Sequence, residues 1–441
     1  MKIKMIILGM LAMAVLPIFG QGYGLYEQGG GFGNLGAYVA RAEDSSALYH
    51  NPAGLALLTS SEVALHGRGL FSQSFYSNPG QSTWDSDTAI DGAPTFFSNF
   101  TAGKFAFGLG AVLTHHYNLD WDEPDFPARY LGNKHEVIAY EAMGGVSFRF
   151  NDYFSMGATF RQANLEISNS RLLPRPIPGF ADPFETEETI DVDGTGTGFS
   201  VGFLYFKPRR FSVGLTYWSP IEVDLDGTRN YSLHAPLNDS RAENAFSSVF
   251  GNSLDAPALS TFELPERFAV GFQTKITVRT RLEVDLSSEQ WSSVDTLAYN
   301  TSDASGQPQQ VIYPRAWEDT FSYRIAGDFQ QRKAILWRAA LGGTDAVVPE
   351  ETLGPDFPDY QRFMYSFGLS YTMRKKYVLE LGWTYIQNRD RPVQDQELFF
   401  DPTSPNFYTT NSQDGVYETQ RMQVNLGLRI LFGKTRKPPE R

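Results

Sequence analysis

The chain has 441 residues, no cysteine, and 37 Lys and Arg against 50 Asp and Glu, for a formal net charge of -13. The lack of cysteine excludes disulfide staples and thiolate zinc sites, and the acidic balance argues against a nucleic-acid partner, because phosphate binding wants a basic surface. Hydrophobic residues make up 41% of the chain, too few for a bundle of membrane helices, yet 34 Phe, 22 Tyr and 40 Gly suit strands with aromatic girdles and tight turns.

Lys2 and Lys4 precede an apolar run from Met5 to Phe19, and Gly20-Gln21-Gly22 offers a small-x-small cleavage site. Residues 1–22 therefore read as a signal peptide. The apolar run is about 15 residues long, short of the roughly 20 that a spanning helix needs. No later segment reaches that length. An exported chain that enters a membrane must then do so as a closed barrel, in which every backbone group is paired.

Residues 23–60 show no alternation. Gly29-Gly30-Gly31-Phe32-Gly33 leads into short helical pieces from Asn34 to Leu48, followed by His50-Asn51-Pro52-Ala53-Gly54-Leu55. Asn51 is placed to cap a helix predicted over 52–58, with Pro52 at its first position, where a missing N–H costs nothing.

Beyond residue 60 the period is two. Phe154, Met156, Ala158 and Phe160 alternate with Ser155, Gly157, Thr159 and Arg161; Phe363, Tyr365, Phe367 and Leu369 alternate with Met364, Ser366, Gly368 and Ser370. The pattern predicts strands at 62–74, 93–102, 105–117, 135–150, 153–167, 195–207, 211–225, 260–277, 279–293, 319–331, 334–348, 361–374, 377–391 and 416–432. Their connections alternate between short (Gly103-Lys104, Asn151-Asp152, Arg332-Lys333, Lys375-Lys376) and long (168–194, 226–259, 294–318, 392–415). Short turns at one end and long loops at the other form the pattern of an outer-membrane barrel. The expected fold is all-β, a transmembrane barrel of about fourteen antiparallel strands over 61–432 with a periplasmic tail at 433–441. Basic short turns would face the periplasm. The long loops carry acid, for example Asp182, Glu185, Glu187, Glu188, Asp191 and Asp193. Eight strands are filled by their own side chains and 16 to 18 leave a channel, so about fourteen need a plug. Residues 23–60 are the candidate.

Arg161, Arg324 and Arg338 fall on the lumen-facing parity and could give a carboxylate charge-assisted hydrogen bonds. The alternative is a structural charge network with acids such as Glu283 and Asp285. Gly31 to Gly36 spells a dinucleotide fingerprint but lacks a preceding strand. Gly198-Phe199-Ser200-Val201-Gly202 spells a nucleophile elbow but lies inside a strand. His115 and His116 are adjacent on a strand, so they face opposite ways and do not share a metal. No cofactor, metal or enzymatic chemistry is expected. Tyr117, Trp121, Tyr217 and Trp218 read as girdle or loop-base residues.

Against this background the chain resembles the FadL-type family of outer-membrane transporters for long-chain fatty acids and other hydrophobic compounds. The resemblance rests on Ala42-Glu43-Asp44-Ser45-Ser46 leading to Asn51-Pro52-Ala53, on Phe107-Gly108-Leu109-Gly110-Ala111 and Arg129-Tyr130, and on Gly214 to Ser219. Leu264-Pro265, Trp291-Ser292, Trp317-Glu318-Asp319-Thr320 and the loop from Pro349 to Asp359 add to it. It implies a barrel closed by an N-terminal hatch carrying the Asn51-Pro52-Ala53 motif, in the bacterial outer membrane. It also implies capture by outer loops, here 168–194 and 226–259, and a lumenal site beside the hatch. A kink in the third strand, at Gly108 and Gly110, would release the ligand sideways into the membrane. The expected partners are a long-chain fatty acid or other hydrophobic small molecule and the outer-membrane lipids, and the protein is expected to be a monomer. Family members that hold secreted proteins share the Asn-Pro-Ala-Gly-Leu stretch, so an accessory role in secretion is the alternative. The chain departs from the pattern at its end, where Phe432 is followed by Gly433 to Arg441 in place of a strand-final aromatic.

Overall fold

The structure, a computed structural model, describes residues 23–25, 27–77, 83–121, 126–175, 184–207, 210–233, 244, 255–302, 306–393 and 415–433. The signal-peptide reading of 1–22, most of the tail and Asp182 lie outside them. Alternation builds fourteen barrel strands: β1 Ser61–Ser77, β2 Ala89–Ala102, β3 Phe105–Asp120, β4 Lys134–Arg149, β5 Phe154–Arg175, β6 Phe184–Lys207, β7 Phe211–Trp218 with Ile221–Leu233, β8 Ala256–Leu264 with Arg267–Lys275, β9 Thr280–Glu289, β10 Thr320–Arg332, β11 Ile335–Thr344, β12 Arg362–Met373, β13 Tyr377–Asn388 and β14 Gly415–Phe432. Each is antiparallel to the next, and β14 closes on β1 from Ser61↔Phe432 to Ser77↔Val416. Closure leaves no free edge to lipid.

The two faces are inverted relative to a water-soluble sandwich. Phe107, Leu109, Phe160, Phe199, Phe367 and Trp383 are exposed on the outside, while His66, Arg68, Glu141, Arg161, Glu283 and Asp285 are buried inside. The lumen holds the polar residues because the outer face is solvated by hydrocarbon.

Several predicted boundaries move. The predicted strand 211–225 breaks at Ser219-Pro220, and the predicted strand 260–277 breaks at Pro265-Glu266. Proline has no N–H to give to the ladder, so a central strand cannot run through it unbroken. The loop expected at 168–194 is mostly strand: β5 and β6 pair all the way from Phe154↔Tyr205 to Arg175↔Phe184. Only 176–183 and 234–254, apart from Asn244, remain as connections there, outside the described residues. The expected loop 294–318 contains a hairpin, Thr296–Ser302 with Pro308–Pro314. The acids expected in loose outer loops are partly tied down. Glu188 is buried and takes Arg171 Nε at 2.6 Å and Arg229 Nε at 2.7 Å, and Glu185 takes Arg129 Nη2 at 2.8 Å.

Residues 27–58 run through the lumen as short helical turns, Gly29–Gly31, Ala47–His50 and Pro52–Leu57, and are almost wholly buried. The barrel wall binds their backbone. Asp285 accepts the N–H groups of Tyr38 (2.8 Å) and Val39 (3.0 Å), and Glu283 accepts those of Ala40 (2.9 Å) and Arg41 (3.1 Å). Two carboxylates thus satisfy four consecutive donors that no secondary structure serves.

Candidate functional site

Asn51 uses its whole amide. Nδ2 donates to Val39 O (2.8 Å) and to Phe203 O on β6 (3.1 Å), while Oδ1 accepts Ala53 N–H (3.1 Å), which caps the turn as its sequence suggested. Pro52 opens that turn, and Ala53 O accepts Ser147 Oγ (3.1 Å) and Ser155 Oγ (2.9 Å) from the wall. The motif pins the lumenal segment to β4, β5 and β6. Beside it, burial holds the His50 imidazole at a pKa of about 4, below its ordinary 6.5, against a hydrogen bond from Nε2 to Gln28 O (2.9 Å) that favours the proton.

The wall is interrupted between β2 and β3. Their ladder runs only from Ala102↔Phe105 to Phe96↔Ala111. Beyond it β2 stays with β1 as far as Ala89, and β3 stays with β4 as far as Asp120. The strands meet again where Asp87 N donates to Asp120 O (2.8 Å). Between these limits lies a window, crossed by Asp91 reaching His116 Nε2 (3.4 Å) and Asn118 Nδ2 (3.5 Å). A register shift between Leu113 and His115 bends β3 there. Gly108 and Gly110, expected at the kink, sit below it in unbroken pairing with Asn99 and Phe97. Their lack of a side chain serves the lumen instead. A Cβ on Gly108 would lie 3.0 Å from Leu55 Cδ1, and one on Gly110 would lie 3.1 Å from Leu48 Cδ2.

A freed strand edge inside a membrane needs partners. Residues Tyr23 to Leu25 supply them, with Leu25 N donating to Thr114 O (2.7 Å) and His116 N donating to Tyr23 O (3.0 Å). This patch is invisible to strand periodicity because it is too short to alternate.

Behind the window lies a small cavity of about 70 Å³. Leu25, Leu70, Met364 and Ile386 give it apolar walls, His116 and Asn118 form its window edge, and Arg324, Arg362 and Arg421 bring positive charge. Arg421 lies 5.2 Å from the Tyr117 ring. Arg324 donates to Ser287 Oγ (3.1 Å), and Arg362 pairs with Asp359.

Of the three arginines singled out from parity, only Arg324 reaches this cavity. Arg161 is held by Glu141 through two bonds of 2.7 Å. Arg338 donates to Ser370 Oγ (2.6 Å) and lies 3.5 Å from Glu380. Both belong to the structural charge network, with acids other than the two anticipated. Arg362 and Arg421 share the inward parity of β12 and β14 and were readable by extending the alternation one step. The aromatics divide as well. Tyr217 faces outward beside Glu266, while Tyr117, Trp121 and Trp218 are buried in the lumen, Trp218 Nε1 donating to Tyr49 O (3.2 Å). His115 and His116 take separate partners, Thr114 Oγ1 and Asp91.

A closed fourteen-stranded barrel with an apolar outer face and a polar lumen defines a barrel of the outer-membrane type. The family model for the outer membrane protein transport protein (OMPP1/FadL/TodX) matches residues 28–422, and the chain belongs to that family. A long-chain fatty acid transport protein of Escherichia coli O6:H1 is 23% identical over 303 residues, 64% of this chain and 67% of that protein. Outer membrane protein P1 of Haemophilus influenzae is 19% identical over 334 residues, 70% and 68% of the two chains. Among solved structures, a Pseudomonas aeruginosa FadL homologue superimposes with a TM-score of 0.77 at 18% identity, covering 95% of this chain and 99% of its own. The Pseudomonas putida toluene transporter TodX gives 0.70 at 16% identity, covering 94% and 99%.

Proposed function

We propose that this protein carries long-chain fatty acids or similar hydrophobic compounds across the outer membrane. The ligand is caught at the outer mouth, held in the cavity beside the lumenal segment, which serves as a hatch, and released sideways between β2 and β3. One observation carries the reading: the apolar, cation-bearing cavity ends on His116 and Asn118, which are also the residues that span the window to Asp91. The lining of the cavity suits an amphipathic acid. Its alkyl chain contributes roughly 0.8 kcal/mol per buried CH₂, and a carboxylate can be met by Arg324 or Arg421. The names of the relatives, transporters of fatty acids and of toluene, support the compound class.

The chain has no cysteine, so a pair can be introduced cleanly. Asp91→Cys with His116→Cys, bridged by a short reversible cross-linker, is expected to stop transfer of oleate into proteoliposomes, with recovery on reduction. Undiminished transfer through the bridged barrel overturns the lateral route.

A further inference from the structure

Tyr23 enters the lumen from a segment that belongs to no barrel strand, yet its side chain is buried. Five rings surround it, with centroids at 4.4 Å for Phe357, 5.3 Å for Trp317, 5.7 Å for Tyr117 and His135, and 6.1 Å for Trp291. These spacings are those of favourable aromatic pairs. The hydroxyl finds one partner, His135 Nε2 at 2.7 Å. The network fixes what that nitrogen can do. His135 Nδ1 bonds to Asn169 Oδ1, and Asn169 Nδ2 donates to Tyr299 Oη (2.6 Å). An amide oxygen only accepts, so Nδ1 carries the proton and Nε2 is left as an acceptor. The box therefore has an aromatic interior and one buried acceptor at a fixed position.

We propose that this box is a binding site for para-substituted phenols, and that the Tyr23 ring is its resident occupant, displaced when such a ligand arrives. The proposal deepens the transport reading above and rests on it for the route by which the phenol reaches the lumen. The chemistry selects among hydrophobic compounds. A phenol returns both the ring contacts and the hydroxyl donor. A toluene ring returns only the contacts and leaves a buried nitrogen unpaired, which is the stronger discriminator. A carboxylate brings a lone pair against a lone pair. The occupant is exchangeable because Tyr23 to Leu25 are held to β3 by a short bridge, with bonds at Thr114 and His116 and Gly24 opposite His115, and not by the ladder of a barrel strand.

The test is titration of p-cresol, the tyrosine side chain freed of its backbone, into the purified full-length protein, followed by tryptophan fluorescence from the box. Tyr23→Ala should bind p-cresol at least about tenfold more tightly than the unsubstituted protein, and about tenfold more tightly than it binds toluene, the worth of one hydrogen bond. Adding His135→Phe should remove the preference and leave p-cresol bound no more tightly than toluene, since its hydroxyl would then be the unpaired group. Should Tyr23→Ala not fold, Tyr23→Leu, which keeps apolar volume without a ring, takes its place. Equal p-cresol affinity with and without Tyr23, or no preference over toluene while His135 is present, overturns the proposal. Oleate transfer through the window is measured separately, so failure of the lateral route and failure of the phenol site give different results.

Discussion

Single side chains set the chemistry of the lumen. Arg421 lines the cavity with its guanidinium 5.2 Å from the Tyr117 ring, so Arg421→Gln should weaken oleate binding about 10- to 100-fold and leave dodecane within about twofold, the span of a charge-assisted hydrogen bond. Calorimetry with both ligands checks this, and equal losses for acid and alkane would sink it. His50 makes a pH prediction. Its pKa is about 4 in place and 6.5 when released, so the released segment binds the extra proton between those values. Packing of the segment is then lost as pH falls through that window, by roughly 2 kcal/mol at pH 5. Protection factors over 47–57, which take out the pH dependence of intrinsic amide exchange, should fall between pH 7 and pH 5, and His50→Gln should abolish the change. Residue roles were legible in the sequence only as far as parity carries. Inward Arg161, Arg324 and Arg338 all face the lumen, but alternation has no access to which of them a neighbouring acid has already claimed. Glu141 on the adjacent strand decides that for Arg161, and cross-strand register is a property of three dimensions.

Elements were easier to read than residues. Thirteen short or long connections follow from period-two runs, and the strand ends at turns such as Gly103-Lys104 need no tertiary information. What alternation loses is any element whose partner is unusual. The extended β5 and β6 carry charge where a loop was expected, because Arg171, Glu188 and Arg229 neutralise one another inside the tube. Glycine permits a bulge, so the sequence points to Gly108 and Gly110 for the bend in β3. It occurs instead at Thr114, where β2 departs and Tyr23 to Leu25 move in. Deleting Thr114 should restore a continuous register, let β3 pair with β2 beyond Ala111, and seal the window. Oleate transfer should then fall to that of the cross-linked barrel while the fold persists by circular dichroism. Full transfer by the deletion variant would show that the bulge is not needed.

At the scale of the whole molecule, the proposed hatch role means that the lumenal segment should keep the barrel from leaking. Besides the Asn51-Pro52-Ala53 anchor, it is held at Glu283 and Asp285, which together take four backbone donors, and through Arg41, which reaches Glu283 (3.0 Å) and Asp328 (2.8 Å). Removing one partner leaves buried donors unpaired at about 1–3 kcal/mol each. Glu283→Ala with Asp285→Ala should therefore free the segment and raise ion conductance across a planar bilayer, and unchanged conductance would show that the plug is held elsewhere. The barrel is also lopsided. β5 and β6 are 22 and 24 residues long, whereas β9 and β11 have 10. A crossing uses roughly 9–11, so the tall side stands roughly 30 Å above the hydrocarbon at about 3.3 Å per residue with allowance for tilt. For the proposed transport, that height would relocate the slowest stage of the journey. A greasy molecule is stalled by the hydrated sugars that coat a bacterial surface, and the mouth on the tall side meets it beyond much of that coat. The rate of supply should then depend more on encounter in open water than on partitioning through carbohydrate, and so respond weakly to how thick the coat is.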